Sequence, residues 1–244
     1  MATSTDSNSC PLCEGTGFIT ADKEGLSYAS RCECAQMERT AHLLRRCRIP
    51  RRYEQCGLQN FDDLHPLQRA AKEAARSYIE AFPVHEAGLL FLGPCGVGKT
   101  HLAVSILRAL IEEKRVAGLF YDFRDLLKEI QNSYNPVSQA SEMDILQPVL
   151  RTDFLVLDDM GARKPTAWVE ETLAHIINQR YNDKRATVFT SNFMDVYDDP
   201  RSDQDTLEER IGTRLRSRLF EMCKVVVVQG EDYRKTAKQA GYHF

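Results

Sequence analysis

This 244-residue sequence predicts an α/β fold: a parallel sheet covered by helices, preceded by a small cysteine module. Three observations predict it. From about Leu67 onward short apolar runs alternate with stretches of helical spacing, and repeated strand-helix units bury their faces as a parallel sheet under helices. A glycine-rich loop, Gly93-Pro94-Cys95-Gly96-Val97-Gly98-Lys99-Thr100, joins one such strand to its helix. Four of the eight cysteines form two close pairs before residue 35.

Composition divides the chain into a Cys/Gly-containing start (1–34), an Arg-rich connector (35–60) and the alternating region. Gly88 to Leu92 reads as a strand, and Leu102, Ala103, Ile106, Leu107 and Leu110 follow at helical spacing. Further strands are expected at 117–121, 153–158 and 186–190, with helices at 123–132 and 166–183. In the last helix Trp168/Val169, Thr172/Leu173, Ile176/Ile177 and Tyr181 make one apolar stripe, read as core packing. The expected domains are 1–57, a cysteine and basic region, and 58–244, the α/β domain.

With 43% hydrophobic residues the chain can bury one full α/β core and leave some tens of residues for an appendage. A net charge of -3 points neither to nucleic acid nor to a membrane. Locally the balance differs: between Arg31 and Arg52 seven arginines (31, 39, 45, 46, 48, 51, 52) face only Glu33 and Glu38. Residues 1–9 lack the basic start and apolar core of a secretory signal, and no apolar run is long enough for a bilayer. A cytoplasmic protein with no membrane contact is expected. In that compartment clustered cysteines suggest a metal rather than disulfides.

The glycines at 93, 96 and 98 let the backbone curl so that successive N–H groups face a phosphate, and the next helix adds its dipole. Lys99 would reach the β- and γ-phosphates of ATP and Thr100 would offer a hydroxyl to Mg²⁺; His101, next in the helix, is counted with this cradle. Phe154-Leu155-Val156-Leu157-Asp158-Asp159 is the expected partner strand, delivering carboxylates to the sheet edge where open α/β sheets bind ligands. Asp158 would hold Mg²⁺ through water and Asp159 would polarise the attacking water. Thr190-Ser191-Asn192 would set a short amide beside the γ-phosphate if its strand neighbours the loop strand.

Together with Arg214-Leu215-Arg216-Ser217-Arg218-Leu219, these motifs resemble the DnaC/IstB branch of the AAA+ ATPases. The resemblance covers most of the chain. It implies a five-stranded sheet of order 5-1-4-3-2, Asn192 as sensor 1, Arg218 as arginine finger and Arg234, in Asp232-Tyr233-Arg234, as sensor 2. Arg214, one helical turn away, is the alternative finger. Arginines 210, 214 and 218 are expected to share one helix face with no carboxylate run nearby in sequence to offset them, which suits the ATP of a neighbouring subunit. Asp159 stands where most of these ATPases carry Glu, which suggests slow hydrolysis.

Cys10-Pro11-Leu12-Cys13 and Cys32-Glu33-Cys34 offer four thiolates to a structural tetrahedral Zn²⁺, whose binding, worth ~10 to 16 kcal/mol at such sites, would fold a module this poor in apolar residues. An iron–sulfur cluster is the alternative occupant. A cysteine-rich module ahead of Ile49-Pro50-Arg51-Arg52-Tyr53 and the ATPase core resembles bacterial replicative-helicase loaders. That resemblance implies an N-terminal region gripping the hexameric helicase, and an ATPase domain that holds single-stranded DNA and self-associates. The alternatives are an IstB-type transposition helper on duplex DNA, a P-loop small-molecule kinase and a non-hydrolysing DNA adaptor.

Overall fold

The computed structural model describes residues 10–23, 26–84, 87–135, 140–163, 166–197 and 203–236. The chain divides into two compact units, Met1–Arg46 and Cys47–Phe244, so residues 47–57, expected with the N-terminal region, belong to the larger unit.

In the smaller unit β1 (Phe18–Lys23) and β2 (Leu26–Arg31) form an antiparallel hairpin, followed by helix α1 (Glu33–Arg46). Glu33 in the first turn and Arg45 and Arg46 in the last complement the helix dipole. No hydrophobic side chain of this unit is buried except Cys13 and Cys32, among the described residues, so the cysteines supply what core it has.

In the larger unit α2 (Pro66–Ala81) precedes β3 (Gly88–Leu92) and α3 (Lys99–Lys114). Next come β4 (Gly118–Asp122), α4 (Phe123–Ser133), α5 (Glu142–Arg151), β5 (Phe154–Met160), α6 (Ala167–Asn182) and β6 (Ala186–Ser191). The chain continues through α7 (Leu207–Ile211), α8 (Thr213–Met222), β7 (Cys223–Val227) and the short α9 (Tyr233–Thr236). The sheet runs β4-β5-β6-β3-β7, all parallel. Counted along the chain and from the β7 side, this is the order 5-1-4-3-2. Four of the five strands, β3 to β6, and helices α4 and α6 lie within two residues of the expected bounds, whereas β7, α2 and α5 had no expected range. β3 and β5 are buried almost throughout because helices cover both faces, whereas edge strands β4 and β7 are interrupted by half-buried or exposed positions. Side-chain caps start the helices: Asp122 for α4, Ser141 for α5, Thr166 for α6 and Thr206 for α7.

Three features were not legible beforehand. The open edge of β4 is covered by residues from the Arg-rich connector: Phe120 N donates to Cys47 O at 2.7 Å, and Arg48 lies over the Tyr121 ring at 4.2 Å and pairs with Glu129. Arg48 is thus committed to the fold, and the remaining arginines of the basic stretch divide between the two units. The α6 stripe is core as expected, but it also carries Arg180, 0% exposed. Its guanidinium donates to Thr187 Oγ1 (2.8 Å), Val149 O (2.8 Å), Thr152 O (3.0 Å) and Ala186 O (2.7 Å), tying the end of α5 to the start of β6. Gly212, at φ 84, separates α7 from α8. Arg210 and Arg214 therefore lie on different helices, and the single face expected for 210, 214 and 218 does not form. Among the described residues no helix is long and apolar enough to cross a membrane.

Candidate nucleotide-binding site

The loop 93–98 leaves β3 and ends in Gly98, whose left-handed φ of 102° caps α3. A Cβ at Gly98 would meet the Phe61 ring at 2.4 Å, so glycine is required here by both conformation and space. Lys99 is 6% exposed, and its Nζ donates to Gly93 O (2.8 Å), Pro94 O (2.6 Å) and Asn192 Oδ1 (2.7 Å). Burial lowers its pKa to about 8, against the opposing pull of Cys95, Asp158 and Asp159. Thr100 Oγ1 donates to both oxygens of Asp158, at 2.9 and 3.1 Å. The ladder places β6 beside β3, pairing Phe91 with Thr190 and Leu92 with Ser191, which brings Asn192 to the loop as the sequence required.

Asp158, at the edge of β5, is buried, and burial raises its pKa to about 6 despite hydroxyl donors at Thr190 and Thr100. Thr190 has a double role that the sequence reading missed: its Oγ1 donates to Asp158 Oδ1 at 2.6 Å and accepts from Asp159 N at 2.9 Å. Asp159 itself has φ 58 and lies where the β5–β6 register shifts between Leu157 and Met160. Such an irregularity re-aims a strand side chain; Asp158 meets Thr100 and Asp159 meets Asn192. Asn192 Nδ2 donates to Asp159 Oδ1 at 2.6 Å, so one amide bridges the lysine and the second carboxylate. Burial raises the Asp159 pKa, while Arg124, 3.2 Å away, opposes the rise.

Other loop residues divide by role. Cys95 is exposed and Val97 is buried, with Val97 O accepting from Gln68 Nε2 of α2 at 3.2 Å. The His101 ring turns away from the loop, its Nε2 3.0 Å from Gly57 O and 3.1 Å from Asn60 Oδ1. The C-terminal segment folds back over the cradle: Tyr233 N donates to Gly96 O at 3.2 Å, and a Cβ on Gly96 would lie 1.7 Å from Asp232 Oδ1. Arg234 is exposed on α9, near enough to act electrostatically on both Lys99 and Asp159.

The arginines of α7 and α8 are less uniform than the sequence suggested. Arg210 Nε donates to Gly161 O at 2.7 Å, Arg216 pairs with Asp195, and Arg218 lies 3.4 Å from Glu221 and over the Tyr181 ring at 4.2 Å. The crowding of like charge expected among these arginines is thus relieved within the chain, for Arg218 by Glu221, one turn along the same helix. Arg214 is exposed.

In the smaller unit the four sulfurs of Cys10, Cys13, Cys32 and Cys34 lie within 4.8 Å of one another, with Cys10–Cys32 at 3.8 Å and Cys13–Cys34 at 3.4 Å. A single tetrahedral Zn²⁺ with Zn–S near 2.3 Å sets its sulfurs about 3.8 Å apart, so the set fits one ion. An iron–sulfur cluster interposes several metal atoms and spreads its thiolates farther.

Comparison with known proteins supplies the family. The model described as IstB-like ATP binding protein matches residues 27–241. The chain belongs to that family. Within it, the chain is 29% identical over 174 residues to the replicative helicase loader DnaC of Buchnera aphidicola subsp. Schizaphis graminum, covering 71% of this chain and 68% of that protein. A crystal structure of the DnaC helicase loader superposes with a TM-score of 0.64 at 32% identity, over 74% of this chain and all of that one. AMPPCP-bound DnaA from Aquifex aeolicus shares the fold, with a TM-score of 0.58 at 17% identity, over 75% of this chain and 52% of that one.

Proposed function

We propose that this IstB-like protein is an ATP-hydrolysing loader of the replicative DNA helicase. The observation that carries the chemistry is the chain Lys99–Asn192–Asp159, in which one amide touches both the cation suited to the terminal phosphates and the carboxylate suited to polarising water. Phosphoryl transfer asks for little more than such positioning and charge stabilisation. Thr100 and Asp158, already hydrogen-bonded to each other, are the residues to hold Mg²⁺, which supplies countercharge on the phosphates. The loader role is drawn from DnaC, whose crystallised chain is matched along its full length.

In this reading the N-terminal unit, residues 1–46, with a structural Zn²⁺ on Cys10, Cys13, Cys32 and Cys34, grips the hexameric helicase. The larger unit, from Cys47 onward, hydrolyses ATP slowly in the cytoplasm, holds single-stranded DNA that stimulates the reaction, and associates with further copies, Arg218 reaching a neighbour's ATP. A second reading, a transposition helper acting on duplex DNA, is favoured by the family model's own description. ATPase assays with single-stranded or duplex DNA, paired with a helicase pull-down, separate the two. The loader reading requires stimulation by single strands and capture of the helicase; stimulation by duplex alone, with no helicase captured, supports the helper. Lys99→Ala should lose ATP binding while keeping its fold, and unchanged nucleotide affinity in that variant would remove both readings.

A further inference from the structure

Asp159 is the carboxylate of the site whose direction the sheet does least to fix. Its φ of 58° and the register shift around it take it out of the regular alternation that aims strand side chains. Two side chains hold it instead. Asn192 Nδ2 donates to Oδ1 at 2.6 Å, and Arg124 Nη2 lies 3.2 Å from Oδ2. With one contact the carboxylate can still turn about Cβ–Cγ; the Arg124 cation, itself hydrogen-bonded to Asp122, attracts the other oxygen and restricts that turn.

Local structure delivers Arg124 to that oxygen. Asp122 ends β4 and caps α4, its Oδ1 accepting from Arg124 N at 2.9 Å and Asp125 N at 3.4 Å. Asp122 Oδ2 also lies 3.3 Å from Arg124 Nη2. The β4–β5 register sets Asp122 opposite Asp158, which carries the start of α4 to the same sheet edge as Asp159. The Arg124 side chain is 52% exposed, and an ion pair that open adds little to stability. Its consequence is direction rather than folding.

We propose that Arg124 is a positioning residue for ATP hydrolysis, holding the Asp159 carboxylate in the plane from which it polarises the attacking water. The inference rests on Asp159 having that role. Among the described residues the polar partners of the Arg124 side chain are Asp122 and Asp159, so it acts through Asp159 and leaves nucleotide binding to Lys99 and Thr100. A lysine at the same position supplies the charge but not the planar, directional donor set.

The test is steady-state ATP hydrolysis by the full-length protein carrying Arg124→Gln, Arg124→Lys, Asp159→Asn, or Arg124→Gln with Asp159→Asn, alongside nucleotide titration. Misplacing a catalytic group by about an ångström lowers rates by up to ~100-fold, so Arg124→Gln should lose roughly tenfold in kcat with KM and ATP affinity within about twofold. Arg124→Lys should recover part of that loss. In the Asp159→Asn background Arg124→Gln should cause no further loss, because groups acting as one unit are non-additive. Full kcat in Arg124→Gln, a further tenfold drop in the double variant, or a loss confined to KM would overturn the proposal for Arg124 alone. Full activity in Asp159→Asn, or a wild-type protein that turns over no ATP, would instead remove the reading of Asp159 on which it depends.

Discussion

Asn192 and Asp159 are joined by a 2.6 Å hydrogen bond from the amide Nδ2 to carboxylate Oδ1, although 33 residues separate them in sequence. The same amide accepts from Lys99 through its oxygen. Its orientation is thereby fixed: the oxygen must face the lysine and the nitrogen the carboxylate. Asn192→Ala removes both contacts at once. It should bind ATP within a few fold of wild type yet lose about 100-fold in kcat, the range seen when one preorganised donor is removed. Isothermal titration and a coupled ATPase assay check the two halves; Asn192→Asp, which cannot donate to Asp159, should be no better.

Arg180 tests the core rather than the site. Its buried guanidinium satisfies carbonyls of α5, the turn after it and β6. Arg180→Met fills similar volume but leaves those acceptors unpaired, which should cost about 3 kcal/mol or more of unfolding free energy. Urea denaturation followed by circular dichroism reads this, and a loss below about 1 kcal/mol would show that water replaces the guanidinium.

The cysteine cluster predicts about one Zn²⁺ per chain, measurable by mass spectrometry of metal content. Cys32→Ser with Cys34→Ser should release the ion, open residues 10–46 to protease and abolish helicase capture. ATP binding should survive, since the chain forms two compact units and the nucleotide residues all belong to the larger one. Metal-free protein with a protease-resistant N-terminal unit would contradict this.

A finger acting between subunits predicts complementation. Arg218→Ala should bind ATP normally but lose most DNA-stimulated hydrolysis, since such arginines contribute ~10³ to 10⁵ in rate. Mixing it with Lys99→Ala should restore some activity, because one interface can then join an intact loop to an intact arginine. The contacts of Arg218 with Glu221 and Tyr181 make Arg214→Ala the necessary companion. If only Arg214→Ala complements Lys99→Ala, the finger is Arg214; if neither does, hydrolysis is not shared between subunits.

The parts of the site legible in the sequence were those whose chemistry is contiguous. The loop 93–100 and the strand ending in Asp158-Asp159 each carry their own signature, and their residues meet as expected. Arg124 and Gln68 have no motif around them and became visible only when the sheet order brought β4 to β5 and the packing brought α2 to the loop. Thr190 was within a recognised motif, but its hydroxyl gained a role from a register shift in the neighbouring strand. The helix break at Gly212 could have been suspected, since glycine punctuates helices; the i, i+4 spacing of the arginines masked it.

From the sequence by itself came the α/β class, four of the five parallel strands with their helices, the glycine-rich loop, the paired cysteines and, through resemblance, the strand order and family. These follow from local chemistry and periodicity, which a linear chain displays directly. Only the tertiary structure decided which side chains hold Asp159, where Arg48 and Arg180 are committed, and that 47–57 belong with the larger unit. Those outcomes depend on contacts between residues 30 to 80 positions apart. Such contacts arise when sheet register and helix packing bring distant segments within hydrogen-bond distance, and no pattern in a short stretch of sequence encodes that distance.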